Sequence, residues 1–173
     1  MPSSYNSQVQ SISGSGFEAT LPGGSNATAN FISNSAKVCT TQLDRASSTT
    51  LTNVTGLSVN VIAGATYNFT VRLVGTATAN GGAKFAIGGT CTATSISYTG
   101  KNFNGTTSNA STTTTTLGNA VGASTAVFTD GTIVGSIVVA TAGTLTVQFG
   151  QNASHADTSS VYVNSNFTVT RVS

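Results

Sequence analysis

Any chemistry in this chain must come from very few side chains. The carboxylates are Glu18, Asp44, Asp130 and Asp157, and the single histidine is His155. Glycoside hydrolysis needs two carboxyl groups flanking one bond, yet the four stand among small polar residues in loop-like contexts, and no pair shares a recognisable spacing. They read as solvated groups, or as turn caps that accept backbone N–H bonds. His155 and Asp157 would supply two members of a nucleophilic triad if a serine came within reach. No nucleophile-elbow glycine pattern accompanies them, and serine is too common here for proximity to mean anything, so His155 reads as a loop histidine. Cys39 and Cys91 are too few and too far apart for a disulfide framework; they are either buried thiols or one bridge. One histidine and two separated cysteines also fall short of a transition-metal ligand set. Gly81-Gly82 and Gly88-Gly89 lack the Gly-Lys-Ser/Thr ending of a phosphate loop. The expectation is no catalytic residue, no cofactor and no metal site.

The composition behind these residues is equally restrictive. Of 173 residues, 6 are Lys or Arg and 4 are Asp or Glu, a charged fraction of 6%, against about 25% in an ordinary soluble domain. Ser and Thr fill 55 positions, with 19 Gly and 15 Asn beside them. A net charge of +2 makes no basic face for nucleic acid. No run of 18 apolar residues predicts a membrane-spanning helix, and the polar N-terminus has no secretory pattern. Seven Asn-X-Ser/Thr triplets occur, as at Asn53 and Asn68, a number that this composition produces by itself. A sugar platform would need an exposed aromatic ring; Trp is absent, and among the tyrosines only Tyr162 is expected to point outward.

The elements that would position these groups are strands. Residues 1–36 are a Ser/Gly/Asn-rich stretch with isolated apolar residues and no lasting period, read as an extended N-terminal arm. From Lys37 the pattern turns to alternation, and residues 37–173 are read as one β-sandwich domain. Leu57, Val59 and Val61 alternate with polar residues; after Ala63-Gly64-Ala65, so do Tyr67, Phe69, Val71 and Leu73. On a strand, alternate side chains share a face, so these sets are expected to line the core. Leu145, Val147 and Phe149 repeat the signal. Thr94, Ile96 and Tyr98 are read as one inward set, and Val161 and Val163 as another. Thr132–Val139 is apolar on both faces and predicts a strand covered on both sides. Ser111–Thr116 carries no core-facing apolar residue and is read as a loop or an exposed strand. β-Branched residues dominate and long helix formers are scarce, so the fold class is all-β: an antiparallel sandwich. A chain of this size buries roughly two-thirds of its unfolded surface, enough for a real core.

Three segments carry a resemblance. Thr52–Phe69, with Leu57-Ser58-Val59 running into Ala63-Gly64-Ala65-Thr66-Tyr67-Asn68-Phe69, is similar to a segment common in tailed-bacteriophage virion proteins. Gly135–Phe149 and Phe167–Val172 continue the likeness across most of residues 50–173. It resembles the domain of phage tail-fibre C-termini and head decoration (cement) proteins, and implies a jelly-roll-like sandwich that assembles as a homotrimer. The resemblance brings no catalytic or binding residue. A sandwich with an arm, and no coiled-coil or β-helical shaft, favours decoration of the head over a receptor-binding tail fibre. The expected partners are copies of itself and the major capsid protein, with Phe17, Leu21, Phe31 and Ile32 anchoring the arm. The expected location is the virion, more on the head than the tail, after synthesis in the host cytoplasm. A glycan-degrading enzyme, acting through Asp130 or Asp157, ranks third.

Overall fold

The computed structural model describes Glu18–Thr20, Asn26–Thr28 and residues 34–173. The chain divides into two compact units, Met1–Phe31 and Ile32–Ser173. In the first, β1 (Glu18–Thr20) and β2 (Asn26–Thr28) pair antiparallel, Glu18 opposite Thr28. Phe17, Leu21, Phe31 and Ile32 lie outside the described residues.

The second unit is all-β. Its strands are β3 (Asn34–Val38), β4 (Leu43–Arg45), β5 (Thr52–Val61), β6 (Thr66–Ala77), β7 (Ala83–Gly89), β8 (Thr92–Asn104), β9 (Thr107–Thr114), β10 (Val121–Ser124), β11 (Phe128–Thr141), β12 (Gly143–Gly150), β13 (Ser159–Val161) and β14 (Asn166–Arg171). The change of pattern at Lys37 falls inside β3 rather than before it, so Asn34–Ala36 belong to the sheet.

Connectivity defines the architecture. β8 pairs with β9, β7 with β10, β6 with β11 and β5 with β12, every pair antiparallel. That nesting is one long hairpin rolled into two sheets, the jelly roll. One sheet runs β10-β7-β12-β5; the other contains β6-β11-β8-β9, extended beyond β6 by β14 and then β3. β6 is longer than its outer neighbour. β14 covers Tyr67–Arg72, and β13 covers Gly75 and Thr76. Between them the Ser165 hydroxyl accepts the Val74 N–H (2.9 Å) and donates to the Val74 carbonyl (3.2 Å), so no buried backbone group is left without a partner at the join.

The core lies between the sheets. Leu57, Val59, Val61, Tyr67, Phe69, Val71, Leu145, Val147 and Phe149 are all buried there. Two aromatic groups divide it: Phe69 with Tyr98 and Phe167 (centroids 6.3 and 6.4 Å), and Phe85 with Phe128 and Phe149 (5.5 and 6.3 Å). Each such ring contributes roughly 1.5–3 kcal/mol by leaving water. β5 starts earlier than its Leu57 alternation indicates. Gly56, at φ 91°, inserts a bulge that puts both Val54 and Leu57 inward, and a Cβ there would stand 2.4 Å from the Val38 carbonyl oxygen.

Three local expectations are corrected. The stretch Thr132–Val139 is covered on one face only: Ile133, Ile137 and Val139 are buried, but Val134 is 57% exposed. β11 is central because it has strand neighbours on both edges, which is distinct from having both faces covered. A register shift at Val138 and Val139 inserts an extra residue in the β8–β11 ladder, so Ala93 turns toward the core and Thr94 is exposed; this is the displacement a β-bulge produces. Val163 is exposed because β13 ends at Val161 and the chain turns to reach β14. The Thr-rich tract forms the second half of β9, an exposed strand, and Thr115 and Thr116 lie beyond it.

Candidate functional site

The titratable groups singled out in the sequence gather mainly at one end of the sandwich. His155 and Asp157 lie in the connection from β12 to β13. Asp157 Oδ2 accepts from Thr78 Oγ1 (2.8 Å) and Asn80 Nδ2 (3.1 Å) and stands 3.3 Å from His155 Nδ1. These bonds, the Thr78 hydroxyl foremost, hold its carboxyl below the usual range. The imidazole is turned toward Asp157. Its Nδ1 accepts the backbone N–H of Asp157 (3.1 Å), whereas a triad needs that nitrogen to donate to the carboxylate. The nearby hydroxyls are also engaged: Ser159 donates to the Gly82 carbonyl (2.8 Å) and Ser160 to Asp44 Oδ1 (2.6 Å). With Gln42 also donating (2.8 Å), Asp44 is likewise lowered, mainly by Ser160. Asp130, on β11, pairs with Arg72 of β6 at 3.3 Å. Glu18 lies in β1 of the first unit.

Gln151 closes this loop end, and no pattern in the sequence marks it. It is fully buried; Nε2 donates to the Asp157 carbonyl (2.6 Å), while Oε1 accepts the N–H groups of Ser48 (3.2 Å) and His155 (3.3 Å). One amide thus ties the β4–β5 connection to the β12–β13 connection. Asn102, Thr146, Ser159, Ser160 and Ser165 are the other buried polar side chains among the described residues, and no pattern in the sequence marks them. The geometry at this end suits the fixing of loops, and among the described residues no three His, Cys, Asp or Glu side chains come together to hold a metal ion.

Both cysteines are free and buried, and burial raises both thiols. Cys39 donates its N–H to Ser165, next to the Thr40–Thr55 bond; Cys91 donates to Thr144, which faces Asn60. Because β5 bulges at Gly56, those levels lie about three β12 residues apart, roughly 10 Å, still beyond disulfide reach. Tyr162 is partly exposed.

The larger sheet has an exposed outer face. Register lines its side chains into rows across six strands. One row runs Ala36, Thr168, Thr70, Val134, Thr99, Thr113; the next runs Asn34, Thr170, Asn68, Ser136, Ser97. Among the described residues, Asn68, Thr70, Ser97 and Ser136 have no side-chain hydrogen bond. With Val134 they line a shallow, open depression of about 440 Å³. The floor is close-packed: at Gly135 a Cβ would meet Tyr98 Cβ at 2.4 Å and the Ser97 carbonyl oxygen at 2.5 Å.

No protein-family model matches the chain, and no curated protein matches its sequence. Among solved structures it is similar to the crystal structure of the infectious bursal disease virus VP2 subviral particle, at 11% identity over 95% of this chain and a TM-score of 0.23. It is also similar to the structure of infectious bursal disease virus Gt strain, at 12% identity over 94% of this chain and a TM-score of 0.23. The chain spans 46% of the length of each.

Proposed function

We propose that this chain is a structural protein of a bacteriophage virion, a capsid decoration protein that trimerises and binds the head surface. The observation that carries this reading is the outer face of the larger sheet. Its charged side chains, Arg72, Lys101 and Asp130, lie toward one end; the in-register Thr, Ser and Asn around an exposed valine carry no charge and are poor at keeping copies apart, and depletion of charge marks the centre of protein–protein contacts. The jelly roll is compatible with this role but hosts many others, and the likeness of residues 50–173 to phage virion segments supplies the preference. In this reading the sheet face meets neighbouring copies, the segment before β3 reaches the capsid through Phe17, Leu21, Phe31 and Ile32, and repetition multiplies weak contacts. The role involves no catalytic step. Immunogold labelling of purified virions tests it, with gold expected over the heads. Gold confined to tails replaces decoration with a receptor-binding fibre, and unlabelled virions end both readings.

A further inference from the structure

The path β3-β14-β6-β11-β8-β9 ends in two edges, and among the described residues neither β3 nor β9 has a ladder partner on its outer side. Every neighbouring pair in the path is antiparallel, so with six strands the two edges run in opposite directions. They are also level. Ser35, Ala36, Lys37 and Val38 of β3 stand in the same rows as Thr114, Thr113, Thr112 and Ser111 of β9. Their hydrogen-bonding phase matches too. Thr66 and Val74 turn main-chain groups away from β11, Thr66 accepting the Val172 N–H (2.9 Å) and Val74 meeting Ser165. Bonded and unbonded pairs alternate along an antiparallel ladder. In the row through Thr70, therefore, Thr168 bonds Thr70, Val134 bonds Thr99, and Ala36 and Thr113 aim their N–H and C=O groups outward. β9 carries no charge and no proline, the usual guards of an open edge, and β3 has only Lys37. The smaller sheet is better closed: Thr40 donates to the Thr55 carbonyl beside β5 (3.1 Å), and β10 has four residues and a register shift.

We infer that β9 of one copy pairs antiparallel with β3 of the next, Thr113 opposite Ala36, so that strand pairing closes the trimer at each junction; the inference rests on the trimeric part of the decoration reading. The occupant of each edge is a second copy of this chain. A ring of three joins two unlike surfaces of each copy, and a rotation axis parallel to the strands displaces nothing along them. The two edges must then be level, opposite in direction and in phase, and β3 and β9 meet all three conditions without a slip. A two-fold β9–β9 contact would leave the β3 edge open and stop at two copies. Thr113 and Ala36 are both exposed on the face that carries Val134, so small side chains meet across the junction and the rows run on into the next copy. Each junction is short, and closure of the ring is what makes the set of them hold.

Sedimentation across a concentration series reads the assembly, and disulfide trapping reads the register. Thr113→Pro removes an outward N–H and no bond to β8, a place where an edge strand accepts proline; it is expected to weaken the trimer at least tenfold. Thr113→Val keeps that N–H and is expected to assemble like the parent. Thermal unfolding close to the parent's confirms that each variant folds. In the double variant Ala36→Cys with Thr113→Cys, the new thiols of one chain lie on opposite edges, about 24 Å apart, and can bridge only between copies. Under a mild disulfide oxidant it is expected to run as a covalent trimer on a denaturing gel, while each single variant runs as a monomer; Cys39 and Cys91 are buried. A parent trimer that Thr113→Pro leaves intact, or a double variant that forms no bridge, overturns the inference and leaves the trimer standing. Covalent dimers from Thr113→Cys alone overturn it in favour of β9–β9 pairing. A parent that stays monomeric at every concentration overturns the trimeric reading and this inference with it.

Discussion

The two sheets carry similar hydroxyl-rich strands but finish their outer faces differently. On the four-stranded sheet the polar side chains lie down and bond each other. Ser58 and Thr146 share a hydrogen bond (2.8 Å), Gln148 Nε2 donates to Asn53 (2.9 Å), and a Cβ on Gly88 would meet the Gln148 amide oxygen at 2.6 Å. Thr146 is consequently only 5% exposed, and Ala86, opposite Gln148, is fully buried. On the larger sheet the rows around Val134 stand upright with few mutual bonds. The side chains of one face bond mainly to one another; those of the other have few such bonds. Composition alone does not separate them, because the difference lies in whether a glycine beside a long amide lets it fold flat.

This contrast can be broken most forcefully at the floor of the open face. Gly135→Val drives a branched side chain into Tyr98, the Ser97 carbonyl and the Phe69 ring. It is expected to cost about 3 kcal/mol, read as a lower urea midpoint. An unchanged midpoint would mean that the floor yields and that the rows above it are not fixed.

A matched pair sharpens the comparison at smaller scale. Thr146→Val leaves the Ser58 hydroxyl without its partner and is expected to cost about 1 kcal/mol. Thr70→Val, on the open face, should stay within about 0.5 kcal/mol, and should strengthen self-association in sedimentation by adding apolar surface to the rows. Equal losses would erase the distinction between the faces.

The smallest effect separates both faces from the loop end. Hydroxyl rows do not titrate, whereas Asp44 and Asp157 have carboxyls lowered by their donors. A lowered folded value contributes stability that is present above the unfolded value of about 3.9 and lost as pH falls through the folded one. The thermal midpoint should therefore be nearly flat from about pH 7 to 5 and decline below about 4. Asp44→Asn should make the decline shallower; an identical decline would assign it elsewhere.

What the sequence made legible follows from periodicity. Tyr67, Phe69, Val71 and Leu73 alternate over a long strand, so β6 and its core face could be read directly, as could β12 and the sandwich class. Val134 misled because an apolar residue on a solvent face looks the same in sequence as one under a second layer. The bulges at Gly56 and near Val139 shift parity by one residue, which is why Val54 and Thr94 escaped correct placement. β3 and β13 have no period of their own; each is a strand because a neighbour offers it an edge. Gln151, Ser159 and Ser165 are buried by partners far away in the chain, and in a sequence with 55 Ser and Thr nothing marks the few that matter. At the candidate site, the proximity of His155 and Asp157 was legible but the direction of the bond between them was not.

The splice along β6 has a kinetic consequence. β3 pairs only with β14 among the described strands, and the Asn34–Thr170 bond joins residues 136 apart. Closing so long a loop is slow, and among the described strands β3 has no other ladder partner. While the chain is being synthesised, β3 has no edge to occupy until Asn166–Arg171 have been made and have settled against β6. β3 is therefore among the last strands to lock, so a molecule in which β3 is paired is one whose sandwich is already complete.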